Sequence, residues 1–86
     1  MNNKDVLISN IDKLHTTRMG VIRIKKNLNI ETNDVVLWCK DKIIEEHSNI
    51  YKEGKNWYIT NKGIKITVNS YSYTIITAHK VKEDNK

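Results

Sequence analysis

The chain has 86 residues, of which 38% are hydrophobic and 29% charged, with a formal net charge of +5 and no proline. That length makes one domain over 1–86, with a modest core and no second lobe. The lone Cys39 excludes an internal disulfide and a Cys-based zinc site, and no apolar run nears the roughly 20 residues of a membrane span. Asn2, Asn3 and Asp5 precede only a short apolar patch, which is not a signal-peptide pattern, so a cytoplasmic protein without membrane contact is expected. The charge is uneven. Residues 1–46 carry eight Lys/Arg against seven Asp/Glu, whereas 47–80 carry five lysines against Glu53 alone. Such a field favours polyanions, nucleic acid first.

Asn3 is placed to cap a first helix over about Lys4–Leu14, with Asp5 in its first turn and Leu7, Ile11 and Leu14 as one apolar stripe. Thr16 or Thr17 caps a second helix over Arg18–Leu28, which buries Val21, Ile24 and Leu28. Gly20 inside it costs about 1 kcal/mol relative to alanine, a sign of close packing against a neighbour. Asn33 or Asp34 caps a third helix over Val35–Glu46. Its arc of Val35, Val36, Cys39 and Ile43 faces the core, and Trp38 flanks it with Lys42 one turn on.

Four strands follow, over about Asn49–Lys52, Asn56–Asn61, Ile64–Asn69 and Ser72–His79, all rich in β-branched and aromatic residues. Glu53-Gly54-Lys55, Lys62-Gly63 and Ser70-Tyr71 are gaps short enough for hairpins, so the strands form an antiparallel meander. Helices first and strands after read as an α+β fold, about three N-terminal helices on one face of a four-stranded sheet. Trp57 and Ile59 belong to the core. Strict alternation in the last strand puts Thr74, Ile76 and Ala78 under the helices and Tyr73, Thr77 and His79 on the open face. The segment 81–86, VKEDNK, reads as a frayed tail.

Three groups of residues carry chemistry. Thr77-Ala78-His79-Lys80 combines hydroxyl, imidazole and ammonium, and an imidazole serves as general base or acid near neutrality. Its ordinary reading is a solvated strand-end histidine. Tyr51, Tyr58, Lys65 and Thr67, with Lys52 and Lys55 near the first turn, mix rings that stack unpaired bases with ammonium groups that hold phosphate. Tyr and Thr are also ordinary strand residues. His15-Thr16-Thr17-Arg18, with Arg23 and Lys26 beyond, offers helix N–H groups to a phosphate, or else is a cap followed by a solvated basic face.

Other chemistries lack support. A helix-turn-helix is disfavoured because the third helix ends acidic at Glu45-Glu46. His15, His47 and His79 are too scattered for a metal centre, and Cys39 reads as a small core residue. Neither GxGxxG nor a P-loop occurs, so no cofactor is expected. No carboxylate pair stands in the sheet half, which argues against glycosidase or aspartic-type hydrolysis.

The blocks LHTTRMGVIRIKKNL, DVVLWCKDKI, GKNWYI and ITVNSYSYTIITAHK resemble a family of small uncharacterised bacterial proteins over nearly the whole chain. More distantly, helices before a four-stranded sheet that ends in an ITAH-type strand are similar to the barnase, EndoU, colicin and RelE-like ribonuclease superfamily. That resemblance implies an open sheet face that binds RNA and cuts it without metal, through His, Lys/Arg and Ser/Thr-type groups. Thr77-Ala78-His79 matches by position, whereas Lys55, Lys65 and Tyr73 match by residue type and expected face only. The general-base carboxylate of barnase-like members has no counterpart here beyond Glu53.

The leading expectation is an RNA-binding domain, with metal-independent endoribonuclease action of toxin type as its enzymatic form. His79 would then be the base for 2′-hydroxyl attack, Lys65 or Lys80 would stabilise the phosphoryl charge, and Thr77 or Tyr73 would orient the phosphate. The rival is a non-enzymatic interaction module, an adaptor or inhibitor from a mobile element that holds nucleic acid or an acidic protein on the same basic face. A third possibility is a structural homodimer through a sheet edge, since edge strands readily pair, and monomer and homodimer both stay open. The expected geometry is one water-filled hollow that gathers the imidazole, two or more ammonium groups and a phenol.

Overall fold

The computed structural model describes residues 3–81 and has the expected α+β architecture. In chain order come α1 (Asn3–Ser9), a 3-10 turn (Ile11–Lys13), α2 (Arg18–Leu28) and α3 (Val35–Ile44). The strands are β1 (Asn49–Glu53), β2 (Asn56–Asn61), β3 (Ile64–Asn69) and β4 (Ile75–Lys80), paired antiparallel in the order β1-β2-β3-β4. Of the tail expected over 81–86, only Val81 lies within the described residues, and its N–H donates to the Gly63 carbonyl at 2.8 Å.

Local chemistry sets most boundaries. Helix α1 starts at Asn3 itself, so Asn3 belongs to the first turn of the helix it was expected to cap. It stops at Ser9, short of Leu14, because the Asn10 side-chain amide takes the Val6 carbonyl at 2.9 Å and competes with the next helical turn. Helix α2 begins where Thr17 Oγ1 accepts from the Gly20 N–H at 3.0 Å, and it ends at Asn29, whose left-handed φ of 55° suits asparagine. A Cβ on Gly20 would run into Thr16 Oγ1, which is itself committed to the Ile75 carbonyl at 2.9 Å. The Thr16 hydroxyl, held over the first turn by its bond to β4, is therefore the reason for a glycine inside this helix.

Helix α3 is capped by Asp34 through the Leu37 N–H at 3.0 Å. It ends at Ile44, before the expected Glu46, because groups from elsewhere claim its last carbonyls. Asn61 Nδ2 donates to Lys42 O at 2.9 Å and Ser48 Oγ donates to Ile43 O at 2.7 Å. Lys4 Nζ then caps the exit, donating to Glu46 O at 2.9 Å and Ser48 O at 3.2 Å.

All three helices lie on one sheet face. Leu7, Leu14, Ile24, Leu28, Val35, Cys39 and Ile43 meet Trp57, Ile59, Ile66, Val68, Ile75 and Ala78 in one buried cluster. Val21, Val36 and Ile11 are half-buried at its margin, and Lys42 sits 5.4 Å above the Trp38 ring. Burial pushes the Cys39 thiol up to about 12, which keeps it neutral and inert as expected of a core residue.

Two tight hairpins hold the meander in register. Lys62 and Gly63 both have positive φ, as a type I′ turn requires, whereas between β1 and β2 only Gly54 does. The last strand departs from expectation. It starts at Ile75 instead of Ser72, because Tyr73 takes a left-handed φ of 61° and turns the chain. Its register then shifts, so that Val68 faces Ile75 while Thr67 faces Thr77 and Ile76 is left over. Ile75 and Ala78 are buried and Ile76 is exposed, so of the expected set Thr74, Ile76 and Ala78 only Ala78 ends in the core. The outer edge of β4 is covered. His15 N donates to Tyr73 O at 3.2 Å, Ile75 N donates to His15 O at 2.7 Å, and Asn27 Nδ2 reaches Ala78 O at 3.3 Å.

Glu45 joins α3 to the β2–β3 hairpin. Its Oε1 accepts from Asn61 Nδ2 at 2.8 Å and lies 3.1 Å from His47 Nε2. The Asn61 bond, helped by Lys42, His47 and Lys62, holds its carboxyl below the usual range despite an opposing desolvation cost. A depressed folded value means the stabilisation is present above the unfolded value and is lost as pH falls through the folded one. Thermal melts from pH 7 to 3 should therefore show a falling Tm for the wild type and a shallower acid decline for Glu45→Gln. Parallel curves would refute this role.

Candidate nucleic-acid interface

The face of the sheet away from the helices is read directly from the register. Residues paired across neighbouring strands point the same way. One row is Tyr51, Tyr58, Thr67 and Thr77, and the next is Asn49, Thr60, Lys65 and His79. Glu53 and Asn56 begin a third row, which Asn69 completes.

The rings of Tyr51 and Tyr58 stack at 5.4 Å with 26° between their planes. Lys65 Nζ lies 4.9 Å from the Tyr58 centroid, within cation–π range. Thr67 is 8% exposed although it faces away from the helices, because its neighbours Tyr58 and Thr77 shade it. His79 stands directly across from Lys65. Its Nδ1 lies 3.1 Å from the Lys80 carbonyl. A carbonyl only accepts, so Nδ1 carries the hydrogen and Nε2 keeps its lone pair in the neutral ring. Aromatic faces, an ammonium and a nitrogen base thus share one surface.

Several expected members lie elsewhere. Lys52 pairs with Trp57 and Lys80 with Ile64, so both belong to the helix-side face. Lys55 sits in the β1–β2 turn. Tyr73 packs against Trp57 at 5.2 Å with Lys13 Nζ 5.5 Å from its ring, and has left the open face because of its backbone turn. Among the expected lysines only Lys65 joins His79, and Tyr58 supplies the phenol. The surface is broad and shallow, and among the described residues no pocket opens on it. The expected hollow is therefore corrected to an open platform.

Arg18, Arg23 and Lys26 are exposed on α2. Asn27, on the same helix, approaches Thr77 Oγ1 at 3.5 Å and so brings that basic helix to the border of the open face. Asn27 had no local signal, since its reach spans fifty residues of sequence. His15 joins neither group. Its Nε2 meets Thr74 Oγ1 at 3.1 Å beyond the N-terminal end of β4. Among the described residues no three His, Cys, Asp or Glu side chains gather as metal ligands would.

The fold class is α+β, with a helix-backed antiparallel meander. The chain belongs to the family described as a protein of unknown function (DUF3781), whose model matches residues 8–79. Comparison with curated proteins and with solved structures finds no match.

Proposed function

We propose that this domain binds unpaired RNA across the open face of its sheet. The observation that carries the reading is the Tyr51–Tyr58 stack with the Lys65 ammonium 4.9 Å above Tyr58. Exposed rings stack bases of any identity, and an adjacent ammonium holds the phosphate that follows. Thr60 and Thr77 lie in the same two rows and supply hydroxyls that can hydrogen-bond a ribose 2′-hydroxyl. Arg18, Arg23 and Lys26 extend the cationic field beyond the β4 edge, and Lys55 adds to it at the β1–β2 turn.

The reading is tested by fluorescence anisotropy with a labelled single-stranded RNA over a series of salt concentrations. Tyr58→Ala should weaken binding by the ~1–3 kcal/mol of one stacked base, about 5- to 150-fold. Lys65→Gln should weaken it and flatten the log–log salt slope by about 0.7, one phosphate contact on a single strand. Absence of affinity at low salt would sink the reading and favour an acidic protein as the partner.

A second reading adds cleavage, and the His79–Lys65 pairing favours it. In this reading His79 Nε2 takes the proton of a 2′-hydroxyl and that oxygen attacks the adjacent phosphorus. The bond to the 5′ oxygen breaks, leaving a cyclic phosphate, and the leaving oxygen takes a proton from the imidazolium. Lys65 balances the growing phosphoryl charge and Thr77 orients it. Tyr73 and Lys80 take no part, because neither is on this face. The likeness to the ribonuclease group rests here on Thr77-Ala78-His79 alone. Purified protein incubated with RNA in EDTA should release cyclic-phosphate ends, and His79→Ala should slow this about 10²- to 10⁴-fold. Equal, negligible cleavage by both proteins would end the catalytic reading and leave the binding reading intact.

A further inference from the structure

Two stretches at opposite ends of the chain, His15-Thr16-Thr17-Arg18 and Ser70-Tyr71-Ser72-Tyr73-Thr74, meet beyond the N-terminal end of β4. A parallel bridge pairs His15 with Thr74, and the His15 backbone bonds both Tyr73 and Ile75. The side chains continue the contact. His15 Nδ1 lies 3.0 Å from the Lys13 carbonyl, His15 Nε2 lies 3.1 Å from Thr74 Oγ1, and Thr74 Oγ1 lies 2.8 Å from Ser72 Oγ.

The direction of these bonds follows from elementary donor rules. The Lys13 carbonyl can only accept, so Nδ1 carries the hydrogen and Nε2 of the neutral ring is the acceptor. Thr74 therefore donates its hydroxyl hydrogen to Nε2. Thr74 Oγ1 then accepts from the Ser72 hydroxyl at 2.8 Å, and that one hydrogen is shared with Asn69 Oδ1, which lies 3.3 Å from Ser72 Oγ. This is the arrangement of an activated nucleophile: a hydroxyl, a nitrogen base within hydrogen-bond reach, and a third group that orients the base. The loop is held to it. Asn69 Oδ1 accepts the N–H groups of Tyr71 and Ser72, each at 2.9 Å, and the left-handed turn at Tyr73 precedes Thr74 directly.

We propose that Thr74 is a nucleophilic hydroxyl, His15 its general base and Ser72 a stabilising donor, forming a site for acyl transfer from activated esters. It is separate from His79, which lies five residues further along, ~16 Å in an extended strand. In the step, Thr74 Oγ bonds to the ester carbonyl carbon while its proton passes to His15 Nε2. The Ser72 hydroxyl, freed from Thr74 Oγ as that oxygen becomes bonded to carbon, turns to the oxyanion. The carbon–oxygen bond to the alcohol then breaks, and the alcohol leaves with the proton from the imidazolium. Water reverses the sequence, with His15 again taking the proton, and frees the acid.

The full chain is incubated with p-nitrophenyl acetate, quenched in acid, digested and mapped by mass spectrometry. The expected product is an acetyl ester on Thr74, stable to neutral hydroxylamine but removed by alkaline hydroxylamine, which separates it from phenolic acetates of Tyr71 and Tyr73 and from amide acetylation of lysines. His15→Gln should slow its formation at least about a hundredfold, the low end for a positioned base. Thr74→Ser should keep the ester at that position and Thr74→Val should lose it. A Thr74 ester that forms as fast in His15→Gln overturns the proposal. Its absence from the wild-type digest overturns it whatever the variants do.

Discussion

Ile75 and Ala78 are three residues apart in one strand, yet both lie in the core. Side chains alternate along a regular strand, so an odd spacing should put them on opposite faces. Ile76 resolves the conflict by having no partner on β3, and the alternation restarts one residue late. Fully burying a side chain such as Ile75 is worth roughly 1.5–3 kcal/mol, which favours this arrangement over a regular strand that exposes it. The composition of the open face follows. With Ile75 in the core and no irregularity, Thr77 and His79 would sit beneath the helices and Ala78 would face water. A single unpaired residue decides whether the imidazole meets Lys65.

Much of the rest was legible from local chemistry. Helix α2 and strands β2 and β3 begin and end where their caps, apolar spacing and two-residue turns indicate. Thr17 and Asp34 act through side-chain bonds to nearby N–H groups, and such bonds are written in adjacent residues. The burial of Leu7, Leu14, Ile24, Leu28, Cys39, Ile43, Trp57 and Ile59 follows from the same periodicities. The platform was legible in part, because Tyr51, Tyr58 and Lys65 sit on strands whose alternation is unbroken.

What could not be read depends on partners distant in sequence. Ser72–His79 looks like one continuous strand, and nothing in TIITAHK marks Ile76 as the residue to be left over. Tyr73 is worse. An aromatic residue disfavours a left-handed φ, and its conformation is stabilised by the Trp57 ring and by bonds to Asn69 and His15. The end of α3 depends in part on such a partner, since Asn61, nineteen residues on, takes the Lys42 carbonyl while nearby Ser48 takes that of Ile43. The meeting of His15 with Thr74 joins positions 59 apart, which no window of local sequence contains.

The covered border of β4 has a consequence for assembly. His15, Thr16 and Asn27 occupy its outward carbonyls, whereas β1 has β2 on one side and, among the described residues, no strand on the other. A foreign strand therefore meets more unoccupied backbone groups along β1 than along β4. Two copies that met rim to rim would close about a twofold axis into a continuous eight-stranded layer. Each far rim would then present a β4 edge whose Ile75 and Ala78 carbonyls are already taken, a poorer template for a further strand.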